Sequence, residues 1–207
     1  MTTIYLMRHS KAKMDKEYIN TNESLQLENE KFVLSVEGEE LAKKYSKIKE
    51  LKNLNMIYSS NYVRAMATAK YVCEVNKKPL YIDEDFGERR FGINSWDELP
   101  KEFFSNQALD EDYKMPNGES KKEVRERMYK ALIKVIKQNK DKKALIVSHG
   151  SAMMFLLEKW CDVTYDEGYV VYHGNKLLLD GVINAPDLFK FQFDDNNTLV
   201  SIDRITL

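Results

Sequence analysis

Thr2-Thr3-Ile4-Tyr5-Leu6-Met7-Arg8-His9-Ser10 is the stretch on which the architecture turns, because an apolar run ends abruptly in a cation and an imidazole. Ile4 to Met7 shows no polar alternation, the pattern of a parallel strand covered on both faces. Open parallel sheets gather their chemistry at the carboxyl ends of their strands, which is where Arg8 and His9 fall. Taken alone, the pair is better described as a surface arginine beside a loop histidine, so the weight rests on recurrence.

The arrangement does recur. Ala144-Leu145-Ile146-Val147-Ser148-His149-Gly150 is a second unbroken apolar run ending in a histidine, with a helical pattern directly after it. The chain has three histidines, and two of them share this structural address. Met56-Ile57-Tyr58-Ser59-Ser60 is a third short run, breaking at Asn61 and leading into an alanine-rich helix with Arg64 in its first turn. Three strand ends thus deliver two arginines and two imidazoles to one edge of one sheet. That set suits a phosphoryl group, because guanidinium forks bind its oxygens bidentately and helix N-termini add backbone donors.

A chain of 207 residues is most simply one domain, spanning 1–207, and buries roughly 70% of its unfolded surface without help from a disulfide or metal. Its 32 basic and 33 acidic residues nearly cancel, which removes the electrostatic basis for nucleic-acid or membrane-surface binding. Cys73 and Cys161 both lie in amphipathic helical patterns and read as buried free thiols, implying a reducing compartment. No apolar run approaches the ~20 residues of a membrane span, and no signal core precedes the first strand, so a cytoplasmic location is expected.

Between these strands the pattern is that of an α/β three-layer sandwich, a mostly parallel central sheet with helices on both faces. Two insertions, near 13–34 and 84–118, are expected to cover the carboxyl edge. The first is polar and charge-mixed, with Tyr18, Ile19, Leu25 and Leu27 as its few apolar residues. Ser35 then reads as the N-cap of a crossover helix running through Leu41 and Tyr45. A helix is expected from about Tyr62 to Val75, and Pro79 to Ile82 is a strand candidate. The second insertion loses periodicity and carries Phe86-Gly87-Glu88-Arg89-Arg90-Phe91-Gly92, Trp96 and Phe103-Phe104. Glu119 to Asn139 is a long amphipathic helix, and Ser151 to Cys161 a shorter one whose Met153, Met154, Leu157 and Trp160 read as core. Tyr169 to Tyr172 is a strand, and Leu188 to Phe193 with Leu199 to Ile205 form a hairpin around Asp194 to Asn197. His173, in a turn, reads as structural.

Taken together, these motifs resemble the histidine phosphatase superfamily, also called phosphoglycerate mutase-like. Arg8-His9-Ser10 resembles the family's opening Arg-His-Gly, which makes His9 the nucleophile and Arg8 a phosphate ligand. Ser59-Ser60-Asn61-Tyr62-Val63-Arg64-Ala65-Met66-Ala67-Thr68-Ala69 is similar to its second signature and marks Arg64 as the other phosphate arginine. Glu88 ahead of Phe91-Gly92 resembles its acid, Pro116-Asn117-Gly118-Glu119-Ser120 its Pro-x-Gly-Glu-Ser segment, and Ser148-His149-Gly150 its last signature. The matches run in the family's order from residue 4 to about 150. The resemblance implies a phosphomonoester substrate, a phosphohistidine on His9, proton transfer by Glu88, a protonated His149 that binds phosphate, and no metal or cofactor.

Several positions depart from the family pattern. Ser10 replaces a glycine and would add a side chain beside the phosphate; Asn61 replaces a proline; Ala12 and Asp15 stand where a Ser or Thr and an Asn are usual. Lys11 and Lys13 read as solvated. For Glu88 the structural alternative is a salt bridge to Arg89 or Arg90, and Glu84 and Glu98 are the alternative acids. Rival functions are a phosphoglycerate mutase, a metal hydrolase using His9, His149 and a carboxylate, and a phospholigand-binding module without catalysis. The metal reading lacks a second ligand at short spacing.

Overall fold

In the computed structural model, which describes residues 1–13, 23–165 and 168–205, the opening apolar run forms β1 (Thr2–Arg8). Helices α1 (Leu25–Lys31) and α2 (Val36–Tyr45) precede β2 (Met56–Ser59), α3 (Val63–Asn76) and β3 (Leu80–Ile82). After α4 (Phe103–Leu109) and α5 (Lys121–Gln138) come β4 (Lys143–Ser148) and α6 (Gly150–Leu157). The chain closes with β5 (Asp162–Tyr165), β6 (Tyr169–His173), β7 (Lys176–Gly181), β8 (Asp187–Phe193) and β9 (Leu199–Ile205).

Six strands make one sheet in the order β3-β2-β4-β1-β8-β9. The first four are mutually parallel, β8 joins β1 antiparallel, and β9 pairs antiparallel with β8. Alternation of side chains along β1 splits the core in two. Ile4 and Leu6 point to the layer of α5 and α6, packing with Val124, Met128, Ala152 and Met153. Tyr5 and Met7 point to the other layer, with Ala65, Ala69 and Val72 of α3 and Leu51 and Leu54 before β2. Both faces are covered, which is why these strands are apolar throughout. Ile146 is wholly buried, and its truncation to alanine should cost about 2–5 kcal/mol.

Side-chain caps fix where the helices begin. Ser35 Oγ accepts from Gly38 N at 3.0 Å at the start of α2, as its sequence position suggests. Ser120 and Glu123 form a reciprocal capping box on α5, worth about 1 kcal/mol for the Ser alone. The segment from Arg90 to Gly92 runs against Gly118, where Glu119 N donates to Arg90 O at 2.8 Å. Gly92 has φ +72°, and a Cβ on it would lie 2.0 Å from Gly118 N, so only glycine fits this crossing.

Some elements differ from expectation. The helix after His149 ends at Leu157 rather than Cys161, because the chain turns there to start β5. Cys161 is buried in that turn, Cys73 is only half-buried, and both are free thiols. Tyr169–His173 is the centre of a separate three-stranded antiparallel sheet, β5-β6-β7, whose outer strands the sequence does not announce. The first insertion contains α1, capped by Ser24; Asp15, Tyr18 and Ile19 lie outside the described residues. The second insertion carries short 3-10 turns at Glu84–Phe86 and Trp96–Glu98 besides α4. It has its own small core of Phe91, Ile93 and Phe103, shared with Leu25 of α1. Among the described residues no helix is long and apolar enough to cross a membrane.

Candidate active site

Sheet register brings the three strand ends together. Arg8 is opposite Ser148 and Ser59 is opposite Val147, and the ladder continues one step beyond each strand: His9 N donates to Ser148 O at 2.9 Å and Ser60 N to Val147 O at 3.1 Å. His9 and His149 therefore leave the sheet side by side, with ring centroids 5.0 Å apart at 59°. Gly150 makes room for Arg8: a Cβ there would stand 3.3 Å from the guanidinium carbon.

Hydrogen bonds assign the state of each imidazole. His9 Nε2 accepts from Arg64 Nε at 3.1 Å, so that nitrogen carries no proton. The ring proton is then on Nδ1, 2.7 Å from Ser10 O, and is donated to that carbonyl. Burial, reinforced by the charges of Arg64 and Arg8, holds His9 well below the ordinary histidine range. For His149, burial is again the largest cause, followed by His9, Arg64, Arg127 and Arg8, and its pKa too lies well below the usual value. Without a bound anion, burial and the neighbouring cations therefore disfavour the protonated form of His149 that the resemblance implies. Its Nε2 lies 2.8 Å from Ser60 Oγ. That hydroxyl otherwise only accepts, from Tyr62 N at 3.4 Å. Ser60 can therefore donate to Nε2, leaving an N–H on His149 Nδ1.

The arginines are held by backbone carbonyls, not by carboxylates. Arg8 Nη1 donates to Ile183 O and Arg64 Nη1 to Asn29 O. Asp187, paired across β8 with Arg8, is committed to Arg204 through contacts of 3.1 and 2.6 Å. Burial lowers both arginines from their ordinary range, opposed chiefly by the charge of Glu88. Arg8 Nε and His149 Nδ1 are buried and have no hydrogen-bond partner among the described residues.

Glu88 sits at the N-terminus of α6. Its Oε1 accepts from Arg89 N at 2.9 Å and Ala152 N at 3.0 Å, and its Oε2 from Ser151 N at 3.3 Å. The alternative salt bridges are not formed: Arg90 pairs with Glu119 at 3.0 Å, and Arg89 donates to Gln107 within a cage of Phe91, Phe103, Phe104 and Phe155. Glu98 accepts from Asn94 N within its own turn, and Glu84 is exposed in the turn before Glu88. Glu88 is thus the carboxylate whose charge reaches both Arg8 and Arg64.

Ser10 does not crowd the cluster, contrary to expectation. Its side chain is fully buried on the far side, donating from Oγ to Gly38 O at 2.7 Å. Thr68 Oγ1 accepts from Ser10 N at 2.9 Å and donates to Arg64 O at 2.8 Å, tying the loop after His9 to α3. Lys11 is ion-paired with Glu37 at the surface, while Ala12 bridges to Leu34. His173 ends β6 in the antiparallel sheet, half-buried.

Residues not singled out from sequence also shape the cluster. Tyr62 presents its ring to His149, 4.5 Å away edge-on, and to the Arg64 guanidinium at 4.7 Å. Arg127 donates to the carbonyls of Asp85, Gly87 and Glu88 and grips both oxygens of Glu119. Tyr62 lies inside the second signature and Arg127 on the long amphipathic helix, yet neither carries a local signal, because their partners come from distant segments.

Known proteins share this arrangement of chain. A relative from Bacillus subtilis (strain 168), described as an uncharacterized phosphatase PhoE, is 29% identical over 157 residues, 76% of each chain. The solved structure of Bacillus stearothermophilus YhfR superposes with a TM-score of 0.71 at 23% identity, covering 97% of this chain and 95% of that one. A mycobacterial glucosyl-3-phosphoglycerate phosphatase superposes with the same TM-score, 0.71, at 16% identity over 99% and 98% of the two chains. At such identities the structural likeness speaks to the fold. The family itself follows from a model matched across residues 4–178: the chain belongs to the histidine phosphatase superfamily, branch 1.

Proposed function

We propose that the protein is a phosphomonoesterase that hydrolyses a small phosphorylated metabolite through a phosphohistidine on His9, without metal or cofactor. One observation carries this reading: an unprotonated His9 Nε2 lies in a buried cluster beside Arg64, Arg8 and His149. Buried, unpartnered Arg8 Nε and His149 Nδ1 are the groups that phosphoryl oxygens would satisfy. The guanidinium charges offset the dianion that otherwise repels a nucleophile. The proposed location is the cytoplasm, in keeping with two free thiols.

In the first step His9 Nε2 bonds to phosphorus as the P–O bond breaks, and Glu88 gives the departing oxygen its proton. Water then attacks the phosphohistidine, the P–N bond breaks, Glu88 takes the water's proton, and inorganic phosphate leaves. His9 Nδ1–H stays on the Ser10 carbonyl throughout, which keeps the attacking lone pair on Nε2.

Phosphoryl transfer between hydroxyls is the alternative, favoured by Glu88-Arg89-Arg90-Phe91-Gly92, which resembles the mutase form of the acid motif. Against it, Lys11 to Leu34 contains no Phe-Thr-Gly-Trp stretch of the kind that encloses a mutase substrate. The test uses p-nitrophenyl phosphate and 3-phosphoglycerate, with and without excess chelator. Phosphate release that survives chelation, with an acid-labile and alkali-stable label trapped on wild type and lost in His9→Ala, is the expected result. Label on serine, activity restored only by added metal, or rapid isomerisation of 3-phosphoglycerate with negligible phosphate release would overturn the reading.

A further inference from the structure

We propose that Tyr62 is a positioning residue, anchored by Gln26 of α1, that sets Arg64 and His149 relative to each other for phosphoryl binding. The inference rests on the phosphomonoesterase reading and adds an element to it. Tyr62 is nearly fully buried, yet its phenol oxygen reaches the first insertion, where Gln26 Nε2 donates to it at 2.8 Å. The same amide nitrogen donates to Glu30 Oε1 at 2.7 Å, so Gln26 is itself fixed on its helix. Three residues along α1 from Gln26, the Asn29 carbonyl accepts from Arg64 Nη1. One short helix therefore holds both the guanidinium and the ring stacked against it.

The ring is suited to this task chemically. Its face attracts the Arg64 cation, and its contact with His149 fills the space beside an imidazole that, among the described residues, has only Ser60 as a hydrogen-bond partner. Burial pushes the Tyr62 phenol up to about 12, so no second charge arises beside the phosphate near neutrality. A leucine here would keep apolar volume and lose both the aromatic face and the tie to α1. The ring of Tyr62 also leans on Gly87, where a Cβ would come within 3.2 Å of its Cε2, so the strap touches the segment that carries Glu88.

Four full-length variants test this: Tyr62→Phe, Gln26→Leu, the double variant and Tyr62→Leu. Each is assayed for kcat and KM with p-nitrophenyl phosphate, for inhibition by inorganic phosphate, and for thermal melting. Tyr62→Phe and Gln26→Leu should each raise KM and the phosphate inhibition constant about fivefold, the worth of one hydrogen bond, with kcat within about twofold. The double variant should be no worse than either, since both remove one bond. Tyr62→Leu should raise both constants further, on the order of tenfold more, through loss of the aromatic face. Wild-type constants in both single variants, or losses that add in the double variant, would overturn the proposal. Failure of the wild-type protein to release phosphate would instead overturn the function on which it rests.

Discussion

Arg64 Nε donates to His9 Nε2 at 3.1 Å, so in the free protein the arginine proposed to bind phosphate caps the lone pair proposed to attack phosphorus. The contact selects the tautomer and occupies the His9 lone pair. The proposed catalysis then requires Arg64 to exchange this partner for a phosphoryl oxygen within the same cluster. Arg64→Ala should lower kcat about 10²–10³-fold, the usual loss for one preorganised donor. Arg64→Lys should restore little, because an ammonium lacks the planar fork. Steady-state kinetics on both variants check this, and a lysine variant with near wild-type kcat would contradict it.

Glu88 is positioned through its backbone as well as its carboxylate. Arg127 binds that loop by the carbonyls of Asp85, Gly87 and Glu88 and is neutralised by Glu119, a largely buried residue held below the ordinary carboxylate range; burial works against that shift and is outweighed by the bonds from Arg127 and Arg90. Removing Arg127 leaves the buried Glu119 carboxylate with only the exposed Arg90 beside it. Arg127→Met should cost on the order of 3 kcal/mol in denaturant unfolding and lower kcat more than it changes KM. A variant that loses stability with unchanged kcat would show that the clamp is structural only.

Ser10 offers a cleaner separation of stability from activity. Its hydroxyl donates to Gly38 O on the side away from His149, where α2 approaches so closely that a Cβ on Gly38 would lie 2.0 Å from Lys11 O. Ser10→Ala should cost about 1–3 kcal/mol, because the buried carbonyl loses its donor, while kcat/KM stays within about twofold. A large loss of kcat/KM would mean that the hydroxyl turns towards substrate.

The sheet and the cluster were legible for different reasons. Strands β1 and β4 are buried on both faces, so their apolar runs carry their own signature, and the polar residues that end them mark the carboxyl edge. Arg8, His9, Arg64 and His149 could be grouped because topology alone places strand ends together. Strands β5 and β7 were not legible: Tyr165 and Leu177 are exposed, and a sheet with one open face lacks a continuous run. The lowered pKa of His149 was also beyond the sequence, since burial is its leading cause and burial is a property of the packed chain. Tyr62 shows the same limit, for its partners Gln26 and His149 lie far away along the chain.

His9 and His149 together predict how stability varies with pH. Both are buried neutral, with pKa values well below the ordinary 6.5. Below that value the unfolded chain takes up protons on these rings and the folded chain does not, so the unfolded state binds more protons and unfolding becomes easier as pH falls. Their contribution is complete above about pH 7 and is lost progressively as pH drops through 6.5 towards the depressed folded values. From pH 7 to pH 5 each histidine should remove up to about 2 kcal/mol, the ceiling set by protonation of the unfolded ring. Carboxylates such as Glu119, with an ordinary value of 4.5, act at lower pH. Urea unfolding at pH 7 and pH 5 measures the difference, and His149→Gln should remove about half of it. Saturating inorganic phosphate should shrink the difference too, because a bound anion favours proton uptake by the folded cluster. Equal stability at the two pH values would show that the folded imidazoles titrate like those of the unfolded chain, and the depressed state argued from their burial would fall.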